Sequence, residues 1–245
     1  MKRAVLGMLL AVAVTGCDDA VPAVCQIGVS ATGVGNPGGY AVKLTRTSTA
    51  TPACDTATGT PASIGDWWVF DPYLGSGGTL VIGYSSVLGL PDPPDPQSSL
   101  YGKSPFTSVY PAADDTCTID HMTMSDGAGH SYDVTEMIWL ETAIYLGQQF
   151  KAKVTLTQGG CTAQYDAHAI WPPVLCETNE DCNPFHQPVG SGINTGFNQS
   201  CKHDDYANEI SALLQVNFFG EDPPDPALGI CHFNADFPAL GGFTP

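Results

Sequence analysis

Two places in the sequence set a thiol beside an imidazole: Cys201-Lys202-His203 and Cys231-His232. Zinc takes cysteine and histidine as ligands, so metal chemistry would be sought here first, with His203 and His232 as ligands. The spacings match no zinc finger or ribbon, and in an exported chain such thiols read more simply as disulfide halves. Calcium at the acidic stretches Asp114-Asp115 or Asn179-Glu180-Asp181 stands on no stronger ground. The reading is therefore of no metal and no cofactor.

Nucleophilic, phosphate-cradling and nucleotide chemistry fare no better. The sequence contains no Gly-Xaa-Ser-Xaa-Gly elbow, His-Glu-Xaa-Xaa-His helix, Gly-Lys-Ser/Thr phosphate loop, dinucleotide fingerprint or EF-hand loop. Gly83-Tyr84-Ser85-Ser86-Val87 fails the elbow at its last position. With 25 acidic residues, choosing two carboxylates as acid and base would be arbitrary. No catalytic residue is assigned. The remaining candidate is the aromatic run Trp67, Trp68, Phe70 and Tyr73, because flat rings stack on sugar faces. Trp67, Trp68 and Tyr73 are the candidate ligand-binding residues. Side chains alternate across a strand, so at least one of the adjacent tryptophans belongs to the core.

The N-terminus carries a different kind of chemistry. Lys2 and Arg3 precede the apolar stretch Ala4 to Val14, followed at once by Val14-Thr15-Gly16-Cys17. The stretch is too short to span a bilayer, which takes ~20 residues, and has the grammar of a cleaved export signal. Val14-Thr15-Gly16-Cys17 resembles the lipobox of bacterial lipoproteins. That resemblance implies diacylglycerol on Cys17 through a thioether, cleavage after Gly16, and acylation such as palmitate on the new amino terminus. Two or three chains anchor a protein stably where one does so only marginally. The implied location is the cell envelope, held to the membrane by lipid, with the leaflet left open.

With Cys17 assigned to lipid, Cys25, Cys54, Cys117, Cys161, Cys176, Cys182, Cys201 and Cys231 remain. An even number in an exported chain reads as disulfides. Sequence does not choose the pairing, and the preferred expectation is Cys25 with Cys54, Cys117 with Cys161, and the last four among themselves. The net charge is −17. Such acidity argues against nucleic acid, which needs clustered Lys and Arg, and against a polybasic lipid contact. The partners left are the membrane, through the anchor, and a polysaccharide or protein.

The elements that would position any site are mainly strands. Two alternating runs in residues 149–171 flank Gly159-Gly160, a dipeptide suited to a two-residue hairpin turn. The register that follows opposes Phe150, Ala152, Val154, Leu156 and Gln158 to Ala169, Ala167, Tyr165, Ala163 and Cys161 on one face. The other face pairs Lys153 with Asp166 and Thr157 with Thr162, favourable cross-strand neighbours. That outer face, with Lys151, Lys153, Thr155, Thr157, Gln164 and His168, is expected to be wet and to offer no site, which leaves ligands to loops near Trp67 to Tyr73 and to two proline-rich turns. Further strands are expected at Tyr40 to Thr45, Asp66 to Tyr73, Gly78 to Ser86 and Cys117 to Met124. Tyr132 to Leu146 fits strand better than helix. After Asp204-Asp205, the spacing of Tyr206, Ile210, Leu213 and Leu214 predicts one helix. The pentapeptide Asp-Pro-Pro-Asp-Pro recurs at Asp92 to Pro96 and Asp222 to Pro226 as stiff, solvent-facing loops.

The fold class expected is all-β: an antiparallel sandwich or barrel-like domain with a disulfide-rich C-terminal extension containing one short helix. The parts are a signal peptide over 1–16, a lipidated tether over 17–38, the β domain over 39–172 and the Cys-rich extension over 173–245 packed on it. An acidic chain with a Cys-Xaa5-Cys segment around Glu177 to Asp181 is also similar to uncharacterised lipoproteins of myxobacteria. The functional reading is a lipid-anchored envelope protein with a binding or structural role. The alternative is an exported hydrolase of glycan or ester substrates whose residues meet only in three dimensions. A pocket holding a histidine with a carboxylate would favour the hydrolase; a flat aromatic platform would favour binding.

Overall fold

A computed structural model of the chain describes residues 24–25, 38–56, 59–73, 79–83, 101–126, 129–141, 146–185, 190–215 and 223–241, with backbone alone at 38, 71–73, 79–83, 101 and 146. The expected export signal, Cys17, the first proline-rich pentapeptide and the side chain of Tyr73 lie outside the described residues.

Eight strands follow one another as an antiparallel meander: β1 (Gly38–Arg46), β2 (Ser63–Tyr73), β3 (Thr79–Gly83), β4 (Tyr101–Pro105), β5 (Thr116–Ser125), β6 (Ser131–Glu141), β7 (Leu146–Gln158) and β8 (Cys161–Ile170). β8 returns to pair with β1, from Ala41 opposite Ile170 to Arg46 opposite Tyr165, so the sheet closes into a barrel. Of the two architectures open to the sequence, sandwich and barrel, the chain adopts the second. Residues 131–141 are strand, with Glu136 at φ 50° where the pairing with β7 shifts register.

The β7–β8 hairpin has the register read from its alternation, from Gln149 opposite Ile170 to Gln158 opposite Cys161. Gly159 and Gly160 hold φ of 57° and 78°, the left-handed values that a two-residue turn requires and glycine supplies without strain. Lys153 Nζ donates to Asp166 at 2.6 Å, and the Thr157 and Thr162 hydroxyls meet at 3.2 Å.

An eight-stranded barrel is just wide enough to be filled by its own side chains, and this one is filled by rings. Tyr40, Trp68, Phe70, Tyr132, Trp139, Phe150 and Tyr165 all lie inside at 1% exposure or less. Phe150 stands at the centre, with ring centroids 5.1 Å from Trp139, 5.3 Å from Tyr40 and 5.4 Å from Phe70. At the end of this cluster sits a carboxylate. Asp66 accepts from the Trp68 indole N–H at 2.8 Å, the Tyr132 hydroxyl at 3.0 Å and the Trp67 backbone N–H at 2.7 Å.

The C-terminal part is a second, three-stranded sheet in the order β10 (Gln199–Lys202), β11 (Gly229–Phe233), β9 (Leu175–Cys176), with a short 3-10 helix at Asn179–Cys182 and one helix, α1 (Asp205–Leu214). Asp204 occupies the expected N-cap position, but its side chain makes no capping bond. Tyr206, Ala207, Ile210, Ser211 and Leu214 form the buried stripe of the helix. That stripe packs with Trp67, Ala41 and Ile170, residues on the outer face of the barrel, so the alternation that turns Trp68 inward turns Trp67 into a second core. The helix lies directly on β2: a Cβ built on Gly65 would stand 1.9 Å from the Tyr206 carbonyl oxygen. The Gly65 N–H also donates to Glu209 Oε2 at 2.5 Å. Gly65→Ala is therefore expected to push α1 off the barrel and destabilise the protein by about 2 to 3 kcal/mol. An unchanged midpoint in urea denaturation would refute that contact.

All eight described cysteines are paired: Cys25 with Cys117, Cys54 with Cys161, Cys176 with Cys201 and Cys182 with Cys231. The last four do pair among themselves. The first two expected pairings are corrected, for a topological reason. The β1–β2 connection carrying Cys54 reaches the tip of the β7–β8 hairpin because β1 and β8 are neighbours at barrel closure. Cys25 is tied instead to Cys117 on β5, its N–H donating to the Val109 carbonyl in the β4–β5 connection at 2.8 Å. These bridges close separations of 92 and 107 residues, and on the chain-entropy argument each contributes roughly 4 to 5 kcal/mol.

Candidate functional site

The described side chains inside the barrel form a core of rings, and a cleft lies outside it, where β11 packs on the outer face of β1 and β8. Its volume is about 280 Å³, and it is lined by Lys43, His168, His232, Phe233, Asn234, Ala235 and Asp236. Pairing register places the first of these. Lys43 on β1 lies opposite His168 on β8, and His168 lies opposite Lys151 on β7, so three basic side chains form one row across three strands of the outer face.

His232 comes from the middle strand of the C-terminal sheet and is 2% exposed. The backbone of His168 lies beside its ring and favours the protonated form. Nε2 has no partner. Burial, followed by the positive charge of Lys43, pushes the pKa of His232 down to about 3, so the ring stays neutral. Burial also lowers His168, against the pull of Asp236 and Asp166. Lys202 is lowered by burial too, and its ammonium donates to Asn234 Oδ1. Lys43 lies over the Tyr206 ring at 4.3 Å, and Lys151 over the Phe237 ring at 5.4 Å.

The residues singled out by sequence lie elsewhere or play other parts. Trp68 is fully buried and Trp67 is 7% exposed, so neither ring offers a stacking face. The flat platform is absent there because the C-terminal sheet and α1 cover what β2 would otherwise present. The sulfurs of Cys176, Cys182 and Cys201 do gather within 4.8 Å of one another. They belong to two disulfides, however, and a disulfide sulfur has no thiolate to give a metal. His203 Nε2 lies 3.2 Å from both Cys201 Sγ and the Glu177 carbonyl, at the edge of that pair. The polar outer face of the hairpin, expected to be open to water, is not so at His168, which the C-terminal strand half covers. The second proline-rich loop, described from residue 223, is exposed but anchored: Gln215 accepts from the Asp225 N–H at 2.6 Å and donates to its carbonyl at 3.1 Å.

Sequence reasoning missed Lys43 altogether and set aside His168. Period-two alternation placed both on an outer face, but only barrel closure sets β1 beside β8. Among the described residues outside the cleft, two histidines hydrogen-bond carboxylates: His121 to Asp133 at 2.5 Å across β5 and β6, and His130 to Asp126 at 2.8 Å in the β5–β6 connection. At the first, the Thr123 hydroxyl donates to Asp133 rather than to the imidazole, the reverse of what an activated nucleophile needs.

The family model named MlpA matches residues 38–172, more than half of the chain. The MlpA protein of Myxococcus xanthus, named as a lipoprotein, is 34% identical over 71 residues, 29% of this chain. The match spans 30% of the length of that relative. No solved structure matches.

Proposed function

The chain belongs to the MlpA family, and from that premise we propose that it is a lipid-anchored protein of the cell envelope that takes a ligand in the cleft between its barrel and its C-terminal sheet. One observation carries the binding role: the described side chains inside the barrel pack into a core of rings, whereas His232, whose buried Nε2 has no hydrogen-bond partner, is among the residues that line a polar cleft outside it. A buried polar atom with no hydrogen bond costs about 1 to 3 kcal/mol, which a ligand donor would recover. The anchor is Cys17, and the tether over residues 17–38 would hold the barrel off the membrane.

A hydrolase reading has His168 and Asp236 in its favour, since both line the cleft. No serine, threonine or cysteine lines it, and among the described residues no carboxylate hydrogen-bonds either imidazole. A ring with a pKa near 3 is also a weak base at neutral pH. Binding is therefore the reading adopted.

The two parts are tested separately. Cys17→Ser is expected to abolish incorporation of radiolabelled palmitate and to release the protein from membranes, because a hydroxyl cannot replace the thiolate. Label retained in that variant would sink the anchor. For the cleft, the full-length protein with ¹⁵N-labelled histidine is titrated with hydrolysed envelope polysaccharide. A shift of the His232 Nε2 signal is expected, and a signal that never moves would refute the cleft as a binding site.

A further inference from the structure

Four cysteines meet in the C-terminal sheet. The Cys176–Cys201 and Cys182–Cys231 bridges lie side by side, with the sulfurs of Cys176, Cys182 and Cys201 within 4.8 Å of one another. Cys176, Cys182 and Cys231 are closed to solvent, whereas Cys201 is half-buried. An exposed imidazole stands at that opening: His203 Nε2 lies 3.2 Å from both Cys201 Sγ and the Glu177 carbonyl oxygen. A carbonyl only accepts, so Nε2 carries the proton and sets an N–H beside the sulfur. Register adds a second way to pair the four. Cys201 on β10 lies directly opposite Cys231 on β11. The Cys201 N–H donates to Asn179 Oδ1 at 3.0 Å and the Cys231 N–H to the Val174 carbonyl at 2.9 Å, each away from the other strand. Such a non-hydrogen-bonded pair brings its Cα atoms to about 4.5 Å with both side chains on one face, which is within disulfide range. The sulfurs therefore have two complete pairings within reach: the one observed, and Cys176–Cys182 with Cys201–Cys231.

We propose that the two bridges form one thiol–disulfide exchange site, entered at Cys201 by an external thiol, that interconverts these pairings. The site is separate from the cleft and needs no ligand there. The incoming thiolate attacks Cys201 Sγ, since Cys201 is the one of the four that solvent reaches. The bond to Cys176 breaks, its electron pair leaves on Cys176, and a mixed disulfide stays on Cys201. The Cys176 thiolate then attacks Cys182 Sγ, forming Cys176–Cys182, and the electron pair of the broken Cys182–Cys231 bond leaves on Cys231. Cys231, opposite Cys201, attacks the mixed disulfide, closes Cys201–Cys231 and expels the thiolate. The thiol is returned unchanged, and no oxidant or reductant is consumed. His203 is a positioning residue, whose N–H holds the incoming thiolate at Cys201 and stabilises the charge whenever Cys201 is the leaving sulfur. The surroundings set the class of thiol. Glu177, Glu180, Asp181, Asp204 and Asp205 flank the three gathered cysteines, against one lysine, Lys202. A thiol that bears an ammonium group is therefore favoured over one that bears a carboxylate.

The test uses the full-length protein in detergent micelles, treated with cysteamine, quenched with N-ethylmaleimide, cleaved at acidic residues without reduction and read by mass spectrometry of the linked peptides. Glu177, Glu180 and Asp181 lie between Cys176 and Cys182, so cleavage there separates the cysteines. A cysteamine adduct is expected first on Cys201, followed by Cys176–Cys182 and Cys201–Cys231 links without lasting free thiol. The Cys54–Cys161 bridge is the internal reference. Both of its residues are half-buried, so it opens to the same thiol, but among the described residues no third sulfur joins it, and it re-forms unchanged. Measured against that reference, mercaptoacetate is expected to react at Cys201 about tenfold more slowly than cysteamine. His203→Ala is expected to slow the Cys201 adduct about fivefold, and His203→Gln, which keeps an N–H, to restore most of the rate. Native links alone, at a thiol concentration that opens Cys54–Cys161, would overturn the proposal in the parent protein without any variant. So would new links that form only in urea, because they would mark scrambling of an unfolded chain. A first adduct on Cys176, Cys182 or Cys231 would refute Cys201 as the entry. Equal rates for the two thiols would refute the charge selection, and a His203→Ala rate that His203→Gln does not restore would refute the part given to the N–H.

Discussion

Asp66→Ala is expected to destabilise the protein by about 4 kcal/mol, read as a lower midpoint in urea denaturation at unchanged slope. The carboxylate is fully buried and satisfies three donors at once, the Trp68 indole, the Tyr132 hydroxyl and the Trp67 backbone. Alanine leaves all three without an acceptor, at roughly 1 to 3 kcal/mol each, and opens a small void beside Trp68. Asp66→Asn keeps one acceptor oxygen and is expected to cost less than half as much. Equal losses in the two variants would mean that the negative charge, not the number of acceptor atoms or the volume filled, sets the value of the site. A loss below 1 kcal/mol in Asp66→Ala would show the donors finding other acceptors.

Acidification is the second large lever, and it acts through the cleft. The His232 ring has a folded pKa of about 3 against roughly 6.5 in an unfolded chain. Below 6.5 the unfolded chain takes up a proton that the folded one refuses. The contribution is therefore present in full above 6.5 and is lost as the pH falls towards 3. Between pH 7 and pH 4 the loss from this residue alone is about 3 kcal/mol. His168, lowered by burial, adds in the same direction, whereas Glu209 on α1, whose carboxyl burial raises, opposes it. His232→Phe isolates the effect, since phenylalanine has no proton to take up. Urea midpoints measured at pH 7 and pH 4 should fall further apart in the parent than in the variant by about that 3 kcal/mol. An equal fall in both would mean that His232 is protonated without unfolding.

Local patterns carried much of the fold. The β7–β8 hairpin was legible to the residue because alternation, a Gly-Gly turn and a Lys–Asp pair all point to one register, and a slip of one residue would turn every apolar side chain outward. The helix was legible because Tyr206, Ile210 and Leu214 recur at intervals of four. Each of these signals is complete within a few tens of residues. The even number of cysteines left once Cys17 is set aside was enough to expect disulfides, but not their partners.

What the chain has by itself, then, is strand and helix content, hairpin register, an N-terminal segment that resembles the lipobox, and a net charge of −17. Tertiary structure decided the barrel over the sandwich, since that choice is made by β1 pairing with β8 across more than a hundred residues. The same closure brought Cys54 to Cys161 and Lys43 to His168. It also set the fate of the tryptophans. A strand pattern says that Trp67 and Trp68 face opposite ways, but only the packing of α1 and β11 on the outer face of the barrel makes both of them buried. The cleft has the same origin: its residues come from β1, β8 and the end of β11, and periodicity within one segment holds no information about which other segment will cover it.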